Sequence, residues 1–408
     1  MTKPTTTIVI ILLAGDADTV EILDSLLAEF HFGLNSTTDR TPDIYCMYYR
    51  RNSESTPIPS AWFKLLANTL TFINERTLDT FPPAGANDLT GTLPHQVRAF
   101  IDGLNSGGLS PAGPIRVVVG AHGLASLGIN PTMNLLRHLW RRIRNHFRRP
   151  LSNSAPPSSL TSRNGVHIPD VLLDQLADAL CRLPKGRVKS LILHTCNLSG
   201  VETIHALNEI PHHIACESRL SDHLRFRDWF TTLTDPNATP SQITQSCFNS
   251  ISSAPQSASG CFSSYTTACQ SQLLAALNAL GIHLKSLLDG TASRRRDAIA
   301  AIKLAQDASS DSHAVDLSYF CDLLLNPAYA LLFEPSVLLA VKAALGNLSL
   351  QTVKTNLNTE PRFSNFLGIS VFFPASNDHT YSVSNLPNSF QSAAQGWCSF
   401  LRAWSAIP

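Results

Sequence analysis

The sequence is poor in charge and poorer still in charge imbalance. Of its 408 residues only 15% are charged, and the formal net charge is +1. A chain built to hold a polyanion across its surface carries far more basic excess, so no nucleic-acid partner is expected. No apolar run reaches the roughly 18–20 residues that a membrane-spanning helix needs, and no membrane partner is expected either. The nine cysteines, at positions 46, 181, 196, 216, 247, 261, 269, 321 and 398, are odd in number and scattered, with no CxxC or zinc-ligand spacing. That usage fits a reduced cytoplasm better than a disulfide framework. No internal repeat is evident, and no loop has the EF-hand spacing of a calcium site.

What is present is a large apolar fraction, 44%, enough for two domains or one elaborated α/β domain. Lys3 and the run Ile8–Ala14 superficially resemble a short signal peptide. The run passes directly into Gly15, Asp16 and Asp18 and then a helical pattern at Val20, Leu23, Leu27 and Phe30, which predicts a buried first strand, a polar turn and an amphipathic helix. Strands are expected at 7–14, 43–49, 115–121, 188–194 and 212–216, and helices near 18–30, 60–75, 93–105, 132–147, 169–182 and 200–208. This alternation predicts an α/β fold: a mainly parallel sheet with helices on both faces. Residues 1–235 form the expected core. Residues 236–408 form a largely helical C-terminal region, strongest at 270–288, that returns a strand at 368–374 and a final helix at 388–404.

Two strands end on reactive side chains. The run Ile115–Ala121 leads into His122 and Gly123, and Leu191–His194 leads to Cys196. Strands of a parallel sheet read as continuous apolar runs, and ligands gather at their carboxyl ends. A histidine at one strand end and a cysteine at the next is the layout of a nucleophile with its base, although a single buried cysteine is usually inert packing. Between them, 132–168 holds a basic helix with Arg137, Arg141, Arg144 and Arg148, then a Ser/Pro-rich stretch bounded by Arg148, Arg149 and Arg163. That composition cannot bury a core and predicts an exposed loop; arginines beside such a loop are natural cleavage points.

The ordered segments of this chain resemble the clostripain-type cysteine peptidases, family C11, which share the caspase-like fold. The resemblance runs through Ile8–Leu13 with Asp16, Gly91–Ile101, His122-Gly123, Leu191–Leu207 around Cys196, Ile214–Ser218, Ala314–Phe320 and Gly368–Pro374. It implies that Cys196 is the nucleophile, His122 its general acid and base, and the backbone N–H groups of Gly123 and Cys196 the oxyanion donors. It also implies precursor cleavage between His122 and Cys196, which the arginines at 148, 149 and 163 would suit. Peptides or proteins are the implied substrates. No cofactor is required, and calcium enters through the resemblance alone.

One position departs from the family. Two residues before the nucleophile, where an aspartate commonly receives an Arg or Lys side chain, stands His194. A neutral imidazole cannot supply that charge or pair bidentately with guanidinium; Glu217 and Asp222 are the candidate substitutes. A catalytically inactive, caspase-like binding protein is the alternative reading.

Overall fold

The computed structural model describes residues 5–14, 17–36, 42–51, 57–65, 93–109, 113–121, 173–194, 199–216, 226–253, 260–311, 314–348, 350–355, 361–376 and 383–407. The uninterrupted apolar runs become strands where the sequence places them. These are β1 (Thr7–Ala14), β2 (Asp43–Arg51), β4 (Ile115–Ala121), β5 (Val188–His194) and β6 (His212–Cys216). They run parallel in the order β2-β1-β4-β5-β6. Three antiparallel strands complete an eight-stranded sheet: β3 (Pro57–Leu65) beside β2, then β7 (Gly260–Thr266) and β10 (Gln351–Thr355) beyond β6. All six residues from Ile8 to Leu13 are fully buried. At roughly 1.5–3 kcal/mol for each buried aliphatic side chain, β1 is the sheet's apolar keel.

Among the described residues the helices, in chain order, begin with α1 (Ala17–Ser36), α2 (Leu93–Gly103), α3 (Leu173–Leu180), α4 (Val201–Ala206), α5 (Phe226–Thr234) and α6 (Pro240–Ser253). There follow α7 (Gln270–Leu288), α8 (Ala292–Ser309), α9 (Leu317–Leu324), α10 (Pro335–Gly346), α11 (Asn388–Ala393) and α12 (Gln395–Ser405). Successive strand side chains point to opposite faces. Ile8, Ile10 and Leu12 therefore belong to the core that the sheet shares with α1, α5 and α6 on one side, while Val9, Ile11 and Leu13 belong to the core shared with α2, α3, α4, α7, α8 and α12 on the other. The chain grows from β1 to β2 in one direction and from β4 to β6 in the other. Right-handed crossovers in opposed directions place α1 on one face and α3 and α4 on the opposite one.

Several elements differ from the sequence expectation. The helix expected near 60–75 begins instead as the edge strand β3; Pro57 and Pro59 suit an edge, where a missing N–H costs no ladder bond. Trp62 of that strand is buried against Phe100, ring centroids 5.8 Å apart. The basic helix 132–147 and the stretch to 165 lie outside the described residues. The C-terminal region does return strands to the main sheet, and these are β7 and β10. The expected strand at 368–374 forms as β11 (Ser370–Phe372), in a small sheet with β8 (Ser310–Asp311) and β9 (Ala314–Asp316). The final helix divides at Ala394 because α12 approaches α7 backbone to backbone, and a side chain on Gly281 would run into Gly396 and Trp397. Asn278 bridges the break, donating to the Ala393 carbonyl at 2.7 Å and accepting the Gly396 N–H at 2.7 Å.

Candidate active site at the carboxyl ends of β4 and β5

The strand order reverses between β1 and β4, and the carboxyl edge at such a reversal is where open parallel sheets collect ligands. There Leu13 stands level with Ala121, and Gly120 with His194. The sequence continues from Ala121 directly into His122 and Gly123, and reaches Cys196 two residues beyond His194. His122, Gly123, Cys196, Glu217, Asp222, Arg148, Arg149 and Arg163 lie outside the described residues. The structure thus sets side by side the two strand ends that lead, in sequence, to His122 and Cys196, and describes His194 and residues 199–216 around them.

His194 is buried, with 2% exposure, edge-on to Phe226 at a centroid distance of 6.2 Å. Phe226 stacks on Trp229 at 5.0 Å and lies against Phe30 at 4.6 Å. The imidazole therefore belongs to the aromatic layer between the sheet and α5.

The chain leaving the cysteine segment is anchored by the two downstream segments noted in the sequence. Ser199 and Val201 are fully buried, and Gly200 forms a parallel bridge with Ser370 of β11. The Ser370 N–H donates to the Ser199 carbonyl at 3.0 Å. Hydroxyls of Ser199 and of Ser263 on β7 both donate to the Gly368 carbonyl, the second at 2.6 Å. Gly368 has φ +91°, a conformation open to glycine, and its N–H and that of Leu367 each donate to Asp316 at 2.8 Å. The same carboxylate accepts the Tyr319 N–H at 2.8 Å and so caps α9. One turn past the cysteine segment, buried Glu202 accepts the Phe372 N–H at 2.8 Å. Burial pushes its carboxyl up to about 7, against the lowering effect of that bond.

Burial also raises the thiols of Cys46, Cys247 and Cys321, and that of Cys398 to about 11. Such groups are almost wholly protonated at neutral pH and make poor nucleophiles, in keeping with their reading as packing. At the opposite edge of the sheet, the buried Arg116 guanidinium donates to the carbonyls of Thr232 at 3.0 Å, Asp235 at 2.7 Å and Leu233, closing the end of α5. His212 there bonds Ser190, Thr244 and Ser264 at 3.0, 3.1 and 2.9 Å. Among the described residues no group of three or more His, Cys, Asp or Glu side chains could hold a metal ion.

Sequence reasoning did not assign a role to Glu202 or Asp316. The available signal was an acid in each of two otherwise apolar segments that end up buried.

No protein-family model matches the chain, and no curated protein matches it. Solved structures do. A secreted C11 cysteine protease from Bacteroides thetaiotaomicron, in complex with an irreversible peptide inhibitor, superposes with a TM-score of 0.55 at 14% identity, over 97% of this chain and 99% of that one. The secreted C11 protease of the same organism called iotapain gives 0.58 at 13% identity, over 98% and 99%. An inactive zymogen C11 protease from Parabacteroides distasonis gives 0.55 at 11%, over 99% of both. At these identities the likeness shows the fold, and the described elements have the fold of these C11 proteases.

Proposed function

We propose that this protein is a cysteine endopeptidase whose dyad is Cys196 and His122. The observation that carries the reading is the adjacency of β4 and β5 as parallel neighbours, in register at Gly120 and His194, with His122 and Cys196 next along the chain from those two ends. The Cys196 thiolate adds to the scissile carbonyl carbon, and the N–H groups of Gly123 and Cys196 hold the oxyanion. His122 protonates the departing amine, leaving a thioester; it then takes a proton from water, which releases the acid and restores the thiol. No step draws on a cofactor or on calcium.

The substrates are peptides or proteins, consistent with a C11 neighbour solved with a peptide inhibitor. For a basic P1 side chain, the charge would come from Glu217 and Asp222. They follow β6, the parallel neighbour of β5, whereas His194 is packed against Phe226. Maturation by cleavage after Arg148, Arg149 or Arg163 fits their position between the dyad residues, and one neighbour is described as an inactive zymogen. We place the enzyme in the cytoplasm on the odd number and scattered spacing of its nine cysteines, whereas two neighbours are described as secreted; cell fractionation decides the point.

The test is the wild type beside Cys196→Ala, each examined for fragments divided within 148–165 and for hydrolysis of peptides varied at P1. Turnover by the wild type alone supports the dyad. Turnover by neither, with both folded, favours the inactive binding protein. Identical fragments in both exclude self-processing.

A further inference from the structure

We infer that Glu202 is a positioning residue for the nucleophile, holding the chain that leaves Cys196 against β11; this rests on the peptidase reading above. The cysteine segment spans four residues between two described anchors, His194 at the end of β5 and Ser199. The first anchor belongs to the sheet. The second depends on bonds to a part of the chain about 170 residues away: Ser199 to Gly368 and Ser370, Gly200 to Ser370, and Glu202 to Phe372.

Glu202 differs from the others in chemistry. A buried carboxyl is costly, and one that only joined two backbones could be replaced by an apolar contact at little loss. Here it lies in the first turn of the helix that follows the cysteine, buried and close enough to Cys398 of α12 to act on that thiol. Its neighbourhood leaves little freedom, since a side chain at Gly200 would meet the Glu202 carboxylate at 2.7 Å. The partner strand is itself fixed. The Phe372 carbonyl accepts the Trp397 indole N–H at 3.2 Å, and β11 pairs with β9 beside Asp316. Glu202 is thus seated on a rigid strut, as a group must be to hold another within a fraction of an ångström of productive geometry. Burial at such a site, in a chain whose nucleophile must approach a carbonyl closely, converts small displacements into large losses of rate.

The experiment uses the full chain and reads Cys196 in two ways. The first is the rate at which iodoacetamide alkylates Cys196, resolved by peptide mass spectrometry; the thiolate displaces iodide, so this reading needs no peptidase activity. The second is kcat against KM on a cleaved peptide. Glu202→Ala is expected to change the alkylation rate and lower kcat, each by about tenfold, with KM within about twofold. Glu202→Gln keeps an acceptor oxygen for the Phe372 N–H and is expected to restore both to within about twofold of wild type. A folded Glu202→Ala chain that alkylates and turns over like wild type, with only its melting temperature lowered, overturns the proposal. So does a folded Glu202→Gln chain no better than Glu202→Ala. If Glu202→Ala does not fold, Glu202→Asp, which withdraws the carboxylate by one methylene, takes its place with the same readings. A wild type that cleaves nothing while its Cys196 alkylation still follows this pattern refutes the peptidase reading and leaves the positioning role standing.

Discussion

Glu202 in the first turn of α4 accepts the backbone N–H of Phe372, joining residues 170 apart in sequence and tying the segment after the cysteine to the C-terminal region. Burial holds its carboxyl at about 7 in the fold, against an ordinary value of 4.5. A raised value means that the folded state binds the proton more tightly than the unfolded chain does. The stabilisation is fully present below about pH 4.5 and is lost as pH rises through about 7. The upper bound is about 3 kcal/mol. Glu202→Gln carries no such proton, so its stability relative to wild type should rise between pH 4.5 and pH 8. Urea unfolding of both proteins at those two pH values measures it, and parallel curves would remove the role of ionisation.

His213 has the opposite sign. It is fully buried on β6, bonds the Leu207 carbonyl through Nε2 at 3.2 Å, and faces Tyr265 edge-on at 5.3 Å. Burial, aided by the neighbouring His212, lowers it to about 3 from 6.5. The unfolded chain takes up a proton that the fold refuses, so stability is lost as pH falls from about 6.5 toward 3. His213→Gln should gain on wild type by about 3 kcal/mol between pH 7 and pH 4. His212, lowered to about 4 by burial and by Arg116, stays in both proteins, and the difference isolates His213. Acid titration followed by circular dichroism would show the variant's unfolding midpoint at lower pH.

The Gly368 junction is fixed by its own backbone conformation and by the Asp316 carboxylate. Its φ of +91° disfavours any L side chain, and a Cβ there would collide with the Ser263 hydroxyl. Gly368→Ala should therefore destabilise by at least about 2 kcal/mol. Asp316→Ala would leave three amides, of Tyr319, Leu367 and Gly368, without their carboxylate, at a cost of about 3 kcal/mol or more. Both sites hold one turn, so the double variant should cost less than the two single costs added. Additive losses in chemical denaturation would show that the two restraints act separately.

The sequence signal was strong where burial is uniform. The runs 7–14, 115–121, 188–194 and 212–216 become strands with those limits because both faces of each meet apolar helices. It was weak for β7, whose Ser263 and Ser264 read as polar although both are buried. Their hydroxyls are met by the Gly368 carbonyl and by His212 and Thr244. It misled at β3, whose residues 60–65 fall within the stretch expected to be helical. The locations of the candidate dyad are strand ends and could be read locally. The anchors behind them, Glu202 with Phe372 and Asp316 with Gly368, join segments far apart in the chain, and local pattern carries no trace of such pairs.

The identity of residue 194 gives the last prediction. A family comparison invites His194→Asp as a way to install a pocket for basic side chains. The His194 ring, however, is 2% exposed and packs against Phe226 within the layer that holds Phe30 and Trp229. A carboxylate brought into that layer loses its hydration against aromatic faces and gains no counter-charge from them. His194→Asp should therefore lower stability by about 2 kcal/mol or more near pH 7 and recover part of it below pH 5, as the acid takes a proton. It should not raise the preference for Arg or Lys at P1. Glu217→Gln and Asp222→Asn should lower that preference wherever the wild type shows it. A peptide panel run on the three variants decides between these sites. Gain of basic specificity in His194→Asp, with stability unchanged, would place the side chain of residue 194 in the substrate pocket.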